Sequence, residues 1–189
     1  TIHYEEDLFL AHGYFDDPMV DYFLWNYIFP GGQETFNITA NSIASGPVVL
    51  TIELRGENLS SEWLPPGVVL DQHSVMVFLN GIPIGGDDWD GFYRHNLSLE
   101  FDSALLNEDF NEIEIMSLMS LIVIDSFDLA YPRYYEAIDD GLAFSSEDHD
   151  IITVDGFSEE DIYLFDVTDP RSPKQIQATA IIDSGGQYS

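Results

Sequence analysis

The sequence predicts an all-β protein: a two-sheet β-sandwich of jelly-roll type with a small additional β block packed on it. Three features indicate this fold. Apolar and polar residues alternate with a period of two along many segments, which is the pattern of strands with one buried face. Clusters of Gly, Pro, Asn and Asp separate these segments at short intervals. No amphipathic pattern is long enough for a helix of more than two turns.

Five segments have the alternation expected of half-buried strands. In each segment, every second residue is apolar and the residues between are mostly polar. The residues predicted to face the core are Phe36, Ile38 and Ala40; Val48, Leu50, Ile52 and Leu54; Leu97, Leu99 and Phe101; Ile113 and Ile115; and Ile176, Ala178, Ala180 and Ile182.

The segment from Ser74 to Leu79 is apolar on both faces, which suits a central strand. Asn80-Gly81 follows it and predicts a two-residue hairpin, because both residues tolerate positive φ angles. Pro83 then places the returning strand at a sheet edge, since proline cannot donate a ladder hydrogen bond. Loops are predicted at Pro30-Gly31-Gly32, Pro65-Pro66-Gly67 and Gly85-Gly86-Asp87-Asp88.

A domain boundary is predicted near Tyr134 to Asp140 in this chain of 189 residues. Residues 1–134 would form the jelly-roll-like sandwich, and residues 135–189 a small β block that ends in a linker. The second block has three or four predicted strands, which are few for independent stability in water. We therefore expect it to pack on the first block.

The chain is strongly acidic, with 35 Asp plus Glu against 5 Lys plus Arg and a formal net charge of -30. A nucleic-acid backbone would be repelled, and so would an anionic lipid surface. No apolar run approaches the length of a membrane helix, so no membrane insertion is expected. The acidity suits cation binding, adaptation to salty surroundings where counterions screen self-repulsion, or a solvated surface that keeps an exported protein soluble.

The chain lacks the residue patterns of several catalytic and metal sites. It has no cysteine, which excludes disulfides, thiolate metal sites and a cysteine nucleophile. The five histidines, His3, His12, His73, His95 and His149, do not have zinc-ligand spacing. No Gly-x-Ser-x-Gly motif and no phosphate-binding glycine loop are present.

The best candidate for a cation site is the segment Asp87-Asp88-Trp89-Asp90-Gly91. Calcium takes several oxygen ligands, and Asp87, Asp88 and Asp90 would supply carboxylates from one loop beside flexible glycines. The spacing is not that of an EF-hand, and a polar turn capped by Asp is an equally good interpretation. Calcium is accordingly the one cofactor that the sequence predicts, in a structural role.

Two further positions are candidates for specific contacts. Trp89 lies in the acidic segment and is the tryptophan predicted to contact a ligand, whereas at least two of the three tryptophans are expected in the core. Arg133 lies between Tyr131 and Tyr135 in a chain with few basic residues. We expect it to form a structural ion pair with Asp125 or Asp128.

The last third of the chain contains an uncommon order of short motifs. Tyr131-Pro132-Arg133-Tyr134-Tyr135 is followed by Gly156-Phe157 and by a strand that ends in Asp166-Val167-Thr168-Asp169-Pro170. This order resembles the non-catalytic β-rich region beside the protease domain of secreted, gingipain-type bacterial cysteine peptidases. The resemblance extends over about Glu6 to Ile176.

The preceding part of the chain resembles a galactose-binding-type jelly roll. The motifs concerned are the strand and hairpin from His73 to Gly81, then Trp89-Asp90-Gly91, then Asn111 to Ile115 and Val123 to Leu129. The resemblance implies the fold stated above. It carries over no catalytic residue, because the family's His and Cys belong to a separate α/β domain.

The resemblance implies a non-catalytic accessory domain of a secreted or cell-surface, extracellular protein. Its partner would be the neighbouring peptidase domain of the same polypeptide, which it would orient or shield, or it would bind a surface or substrate. Carbohydrate and cell-surface proteins are further candidate partners. The alternatives are a calcium-dependent carbohydrate-binding module and an adhesive cell-surface module.

Overall fold

The structure is a computed structural model that describes residues 1–10, 23–57, 72–145, 151–177 and 180–189. The chain forms two compact units, Thr1–Arg133 and Tyr134–Ser189. The division falls one residue before the end of the predicted first domain. Independent folding of the two blocks, and packing of one on the other, stay predictions.

One sheet of the first unit has five strands. Its order is β1, β11, β6, β9, and β4 pairs with β11 on the same edge as β1. All pairings are antiparallel. The strands are β1 (Ile2–Glu5), β4 (Asn26–Ile28), β6 (Pro47–Glu57), β9 (Arg94–Asp102) and β11 (Leu121–Ala130).

The second sheet of this unit has four antiparallel strands in the order β5, β10, β7, β8. These strands are β5 (Gln33–Ala40), β7 (Gln72–Leu79), β8 (Ile82–Asp90) and β10 (Asp109–Ser117). A separate short pair joins β2 (Phe9–Leu10) to β3 (Phe23–Leu24). A 3-10 turn, Ser103–Leu105, connects β9 to β10 and is capped by Asp102.

From β4 to β11, successive strands alternate between the two sheets, except for the β7–β8 hairpin. This alternation is the winding of a jelly roll, in which eight strands form two packed sheets. The predicted fold class, an all-β two-sheet sandwich, is therefore confirmed. Within the described residues, no helix is long and apolar enough to cross a membrane.

The core lies between the two sheets, as the period-two pattern predicts. Val48, Leu50, Ile52 and Leu54 all lie on one face of β6 and are fully buried. Their counterparts on β5, β9 and β10 are also buried, among them Ile38, Leu97, Ile113 and Ile115. Phe127 packs with Trp25 and Phe36 at ring-centroid distances of 4.8 Å.

The predicted hairpin at Asn80-Gly81 is confirmed, with positive φ angles of 52° and 77° and Leu79 paired to Ile82. Pro83 lies on β8, which is an edge strand, as predicted. The loop predicted at Gly85-Gly86-Asp87-Asp88 is wrong, because β8 continues to Asp90. Glycine is required at Gly86, where an added Cβ would approach the Val75 carbonyl oxygen to 2.1 Å. The loop predicted at Pro65 lies outside the described residues.

The second unit has little regular structure among its described residues. Its strands are β12 (Leu164–Asp166) and β13 (Lys174–Ile176), which pair antiparallel. Isolated bridges join Glu136 to Asp155 and Tyr188 to both Phe157 and Asp183. The strand predicted to run on to Ile182 ends at Ile176 in the described part, and Ala178 lies outside it.

Candidate functional site

The predicted cation segment lies on strand β8 rather than in a loop. Side chains alternate along a strand, so Asp88 and Asp90 share one face while Asp87 lies on the other, with Trp89. Asp87 accepts a hydrogen bond from His95 Nε2 at 2.9 Å. The three carboxylates therefore do not converge as they would in a loop.

No group of three or more His, Asp or Glu side chains in the described part of the chain is arranged to hold a metal ion. Calcium coordination prefers six to eight oxygen ligands from a flexible site. Calcium binding at Asp87, Asp88 and Asp90 stays a prediction, and it requires a change of geometry on β8. His12 and His149 lie outside the described residues, as does the acidic segment from Glu147 to Asp150.

Trp89 is a core residue with 8% of its surface exposed. Two imidazoles stack on its indole, with His95 at 4.4 Å and nearly parallel (5°), and His73 at 5.2 Å with a tilt of 29°. Little of the Trp89 side chain is therefore left open to solvent. The acidic loop predicted around Trp89 is wrong, because Trp89 lies on strand β8 and its side chain is buried. Ligand binding by Trp89 stays a prediction.

His73 anchors this stack from strand β7 and is 1% exposed. Its Nδ1 lies 2.6 Å from Ser120 Oγ, and Phe92 packs against the ring edge at 5.7 Å. Gly56, on β6 of the opposite sheet, gives the imidazole its space: a Cβ there would lie 2.3 Å from Nε2. Sequence reasoning missed this contact, because the two residues belong to different sheets.

Arg94, at the start of β9, joins two carboxylates on neighbouring strands of the same sheet. Its Nε pairs with Glu53, and its Nη2 lies 3.2 Å from Asp125 Oδ2. Both carboxylates are mostly buried, and the pairing connects β6, β9 and β11. One cation thus pairs with carboxylates from two other strands at this end of the sheet.

The predicted partners of Arg133 have other contacts. Asp125 bonds Arg94, and Asp128 Oδ1 lies 2.9 Å from His3 Nδ1. Arg133 forms a backbone bridge with Ile43. A structural ion pair between Arg133 and Asp125 or Asp128 stays a prediction. The roles of Arg94 and His3 were not predicted, although scarce cations among many acids are a signal for such pairs.

His3 lies in an electrostatic environment that favours its protonated form. Its Nε2 lies 3.0 Å from Glu5, and its Nδ1 is the atom near Asp128. Hydrogen bonding to Glu5, and then to Asp128, raises the pKa of His3 above the usual 6.5. The protonated ring thus links β1 to β11 by charge-assisted hydrogen bonds.

A shallow cavity of about 280 Å³ lies in the first unit beside the 3-10 turn, lined by Ile43, Ala44, Ser45, Asp102, Ser103, Ala104, Leu106 and Glu108. Glu108 accepts hydrogen bonds from the Ser42 and Ile43 N–H groups at 2.9 Å each. Asp102 accepts one from Ala104 N at 2.8 Å. Both carboxylates that border the cavity therefore stabilise its walls.

Comparison of the structure with solved structures places this architecture among known β-sandwiches. Dimeric latent PorU from Porphyromonas gingivalis matches with a TM-score of 0.52 and 12% identity, covering 72% of this chain and 13% of that one. A family 35 carbohydrate-binding module from an environmental isolate matches at 0.48 and 13%, covering 69% and 93%. A CBM36 module in complex with calcium and xylotriose matches at 0.39 and 11%, covering 69% and 89%.

No protein-family model matches the sequence, and no curated protein sequence matches it. The match to PorU shows a shared fold, and this chain spans only 13% of the PorU chain. The class that fold and topology define is the jelly-roll β-sandwich. The predicted resemblance to the region beside gingipain-type peptidases is thereby confirmed at the level of fold.

Proposed function

We propose that this chain is a non-catalytic accessory domain of a larger, secreted, peptidase-like protein. It orients the peptidase domain of the same polypeptide or binds a surface or substrate for it, and it performs no bond-breaking chemistry. Its place is extracellular, where a strongly acidic surface keeps an exported protein soluble.

The observation that carries this proposal is the fold match to PorU over 72% of the chain. The motif order from Tyr131 to Pro170 supports it independently, because that order extends past the sandwich into the second unit. The polar side chains of Arg94, His73 and Asn111 bond to neighbours within the sandwich. They act as structural groups in this proposal.

The test is to read the continuous reading frame and then assay the encoded polypeptide. The frame should encode a domain with a catalytic Cys and His, and deletion of residues 1–189 should lower its peptidase kcat/KM or abolish its secretion. A second deletion that removes only residues 134–189 shows how much of the effect depends on the second unit. A frame without such a domain contradicts the proposal and leaves the adhesive cell-surface module standing.

An alternative proposal is a calcium-dependent carbohydrate-binding module. The jelly-roll architecture supports it, although a shared fold is an analogy rather than a site. Asp87, Asp88 and Asp90 would hold the ion, and Trp89 would contact the sugar. Since Asp87 bonds His95, calcium at Asp87 would have to displace that imidazole.

A thermal melt tests this alternative, with and without millimolar calcium after chelator treatment at matched ionic strength. Calcium at about 100 times its Kd adds about 2.7 kcal/mol to the folded state. A rise specific to calcium and lost in Asp88→Asn/Asp90→Asn supports the alternative. A midpoint that responds only to ionic strength shows that the acidic residues are a solvated surface.

A further inference from the structure

The segment around β12 presents apolar side chains to solvent on one face. Exposure alternates from Ile162 to Val167: Ile162, Leu164 and Asp166 are half-buried, whereas the residues between them are exposed. The exposed residues, which we term the outer stripe, are Tyr163 (68%), Phe165 (51%) and Val167 (59%). Phe165 lies on β12, and Tyr163 and Val167 lie directly before and after it, at the alternate positions of this segment that are exposed.

In a half-buried strand the apolar residues normally face the core, whereas the apolar residues of the outer stripe face solvent. On β6 the apolar residues at alternate positions are fully buried, whereas here three apolar residues at alternate positions, two of them aromatic, face water. Two half-exposed aromatic rings and a valine amount to roughly 300 Å² of apolar surface. The largest exposed apolar patch of a typical monomer is about 300–600 Å² and is often functional, so the outer stripe is a candidate interaction site.

The hairpin that bears the stripe has little internal support. β12 and β13 have three residues each, and a two-stranded hairpin is at best marginally stable in water. Among the described residues of the second unit, Ala137 is the one buried hydrophobic residue. Burial of the stripe against another surface would therefore add much of the stability that the hairpin lacks.

Charge decides what kind of surface fits the stripe. Glu159, Glu160 and Asp161 precede it, and Asp166 and Asp169 lie within and after it. Arg171 and Lys174 are the only Lys or Arg residues in 134–189. A second copy would itself carry a formal net charge of -30 and would be repelled. Nucleic acids and anionic lipids are repelled for the same reason.

We propose that the outer stripe is the docking face for a protein surface that has apolar side chains flanked by Lys and Arg. The apolar groups cover Tyr163, Phe165 and Val167, and the basic groups pair with the neighbouring carboxylates. Hydrophobic contact supplies the affinity, while opposite charge selects the partner and speeds encounter. The partner's identity rests on the proposed accessory function. An accessory domain that docks on a neighbouring domain needs such a face.

The experiment measures binding of two labelled peptides to the whole chain by fluorescence anisotropy. One short peptide alternates valine with lysine, and the other alternates valine with glutamate. The proteins are the wild type, Tyr163→Ser/Phe165→Ser, and the control Phe29→Ser, whose side chain is also exposed (63%) but lies in the first unit. Phe165→Leu serves as the conservative variant, and circular dichroism verifies the fold of each protein.

The lysine peptide is expected to bind the wild type, Phe29→Ser and Phe165→Leu alike, and Tyr163→Ser/Phe165→Ser at least about tenfold more weakly. The glutamate peptide is expected not to bind. Equal binding of the lysine peptide to all proteins would reveal general electrostatic attraction and overturn the proposal. So would equal binding of both peptides, no binding at all, or self-association that the double substitution abolishes. The reading-frame test decides the accessory function separately from these results.

Discussion

Substitution of Gly56 by alanine tests whether the contact between β6 and the His73 imidazole stabilises the sandwich. The added Cβ would lie 2.3, 2.4 and 2.7 Å from three atoms of the His73 ring. The ring cannot move aside freely, because Ser120 bonds Nδ1 and Trp89 stacks on its face. Overpacking of a dense core costs about 1–3 kcal/mol, and loss of the His73–Ser120 hydrogen bond adds about 1 kcal/mol.

Gly56→Ala should therefore lower the free energy of unfolding by about 2–4 kcal/mol. For a unit of this size that corresponds to a fall in Tm of roughly 8–16 °C. Urea denaturation followed by tryptophan fluorescence measures the loss. Gly141→Ala is the matched control, since its Cβ would meet no atom closer than 3.8 Å, and we expect a change within about 0.5 kcal/mol.

A double-mutant cycle separates the steric cause from other effects. In a His73→Ala background, Gly56→Ala should be neutral or stabilising by about 0.5 kcal/mol, because the ring is gone and alanine is favoured over glycine in a strand. If Gly56→Ala costs the same in both backgrounds, the close approach to His73 is not its cause. A wild-type-like Gly56→Ala protein would refute the reasoning directly.

Three further substitutions test the polar contacts. Asn111→Ala should lower the free energy of unfolding, measured by urea denaturation, by about 2–4 kcal/mol. The reason is that Asn111 is fully buried and bonds Asn80 Nδ2 (2.9 Å) and both backbone groups of Asn107. A loss under about 1 kcal/mol would contradict this. Arg94→Gln should lower the free energy of unfolding by about 1–3 kcal/mol at neutral pH and by less at acid pH, where Glu53 and Asp125 are protonated. An equal loss at both pH values would show that charge pairing contributes nothing. His3 should titrate by NMR above 6.5, because its pKa is raised in the folded state. Its stabilising effect is then complete below the unfolded pKa and is lost as the pH rises through the folded pKa. His3→Ala should therefore reduce stability at pH 5.5 and not at pH 9, and the opposite pH dependence would disprove this role.

The fold was predictable where one residue pattern determines one structure. The alternation from Val48 to Leu54 determines which face of β6 is buried. Asn80-Gly81 determines the hairpin, because few pairs of residues tolerate positive φ angles at both positions of the turn. The extent of β8 was not predictable in the same way. Gly85, Gly86 and two aspartates favour a loop by composition, but the close approach of the Val75 carbonyl makes glycine necessary within a strand.

The candidate site was less predictable, because its contacts join residues that are distant in sequence. His73 meets Gly56 across the two sheets, and Arg94 joins carboxylates on two other strands. Neither contact leaves a periodic signal. The sequence did show that Trp89 is flanked by acidic residues. It could not show that two histidines stack on the indole, since His73 is placed by the pairing of β7 with β8 and His95 lies on β9 of the other sheet.

The two units differ in how far the side chains that could bind a ligand or partner already have contacts within the unit. In the first unit, the polar groups best suited to bind a ligand have partners within the sandwich: Asp87 bonds His95, and Glu108 bonds two backbone N–H groups. A ligand there would have to replace existing contacts. The outer stripe of Tyr163, Phe165 and Val167 has no such competition, because its side chains already face solvent. Docking on the second unit therefore gains apolar burial without breaking the core, and this favours a division in which the jelly roll is the scaffold and the β12–β13 hairpin makes the contact.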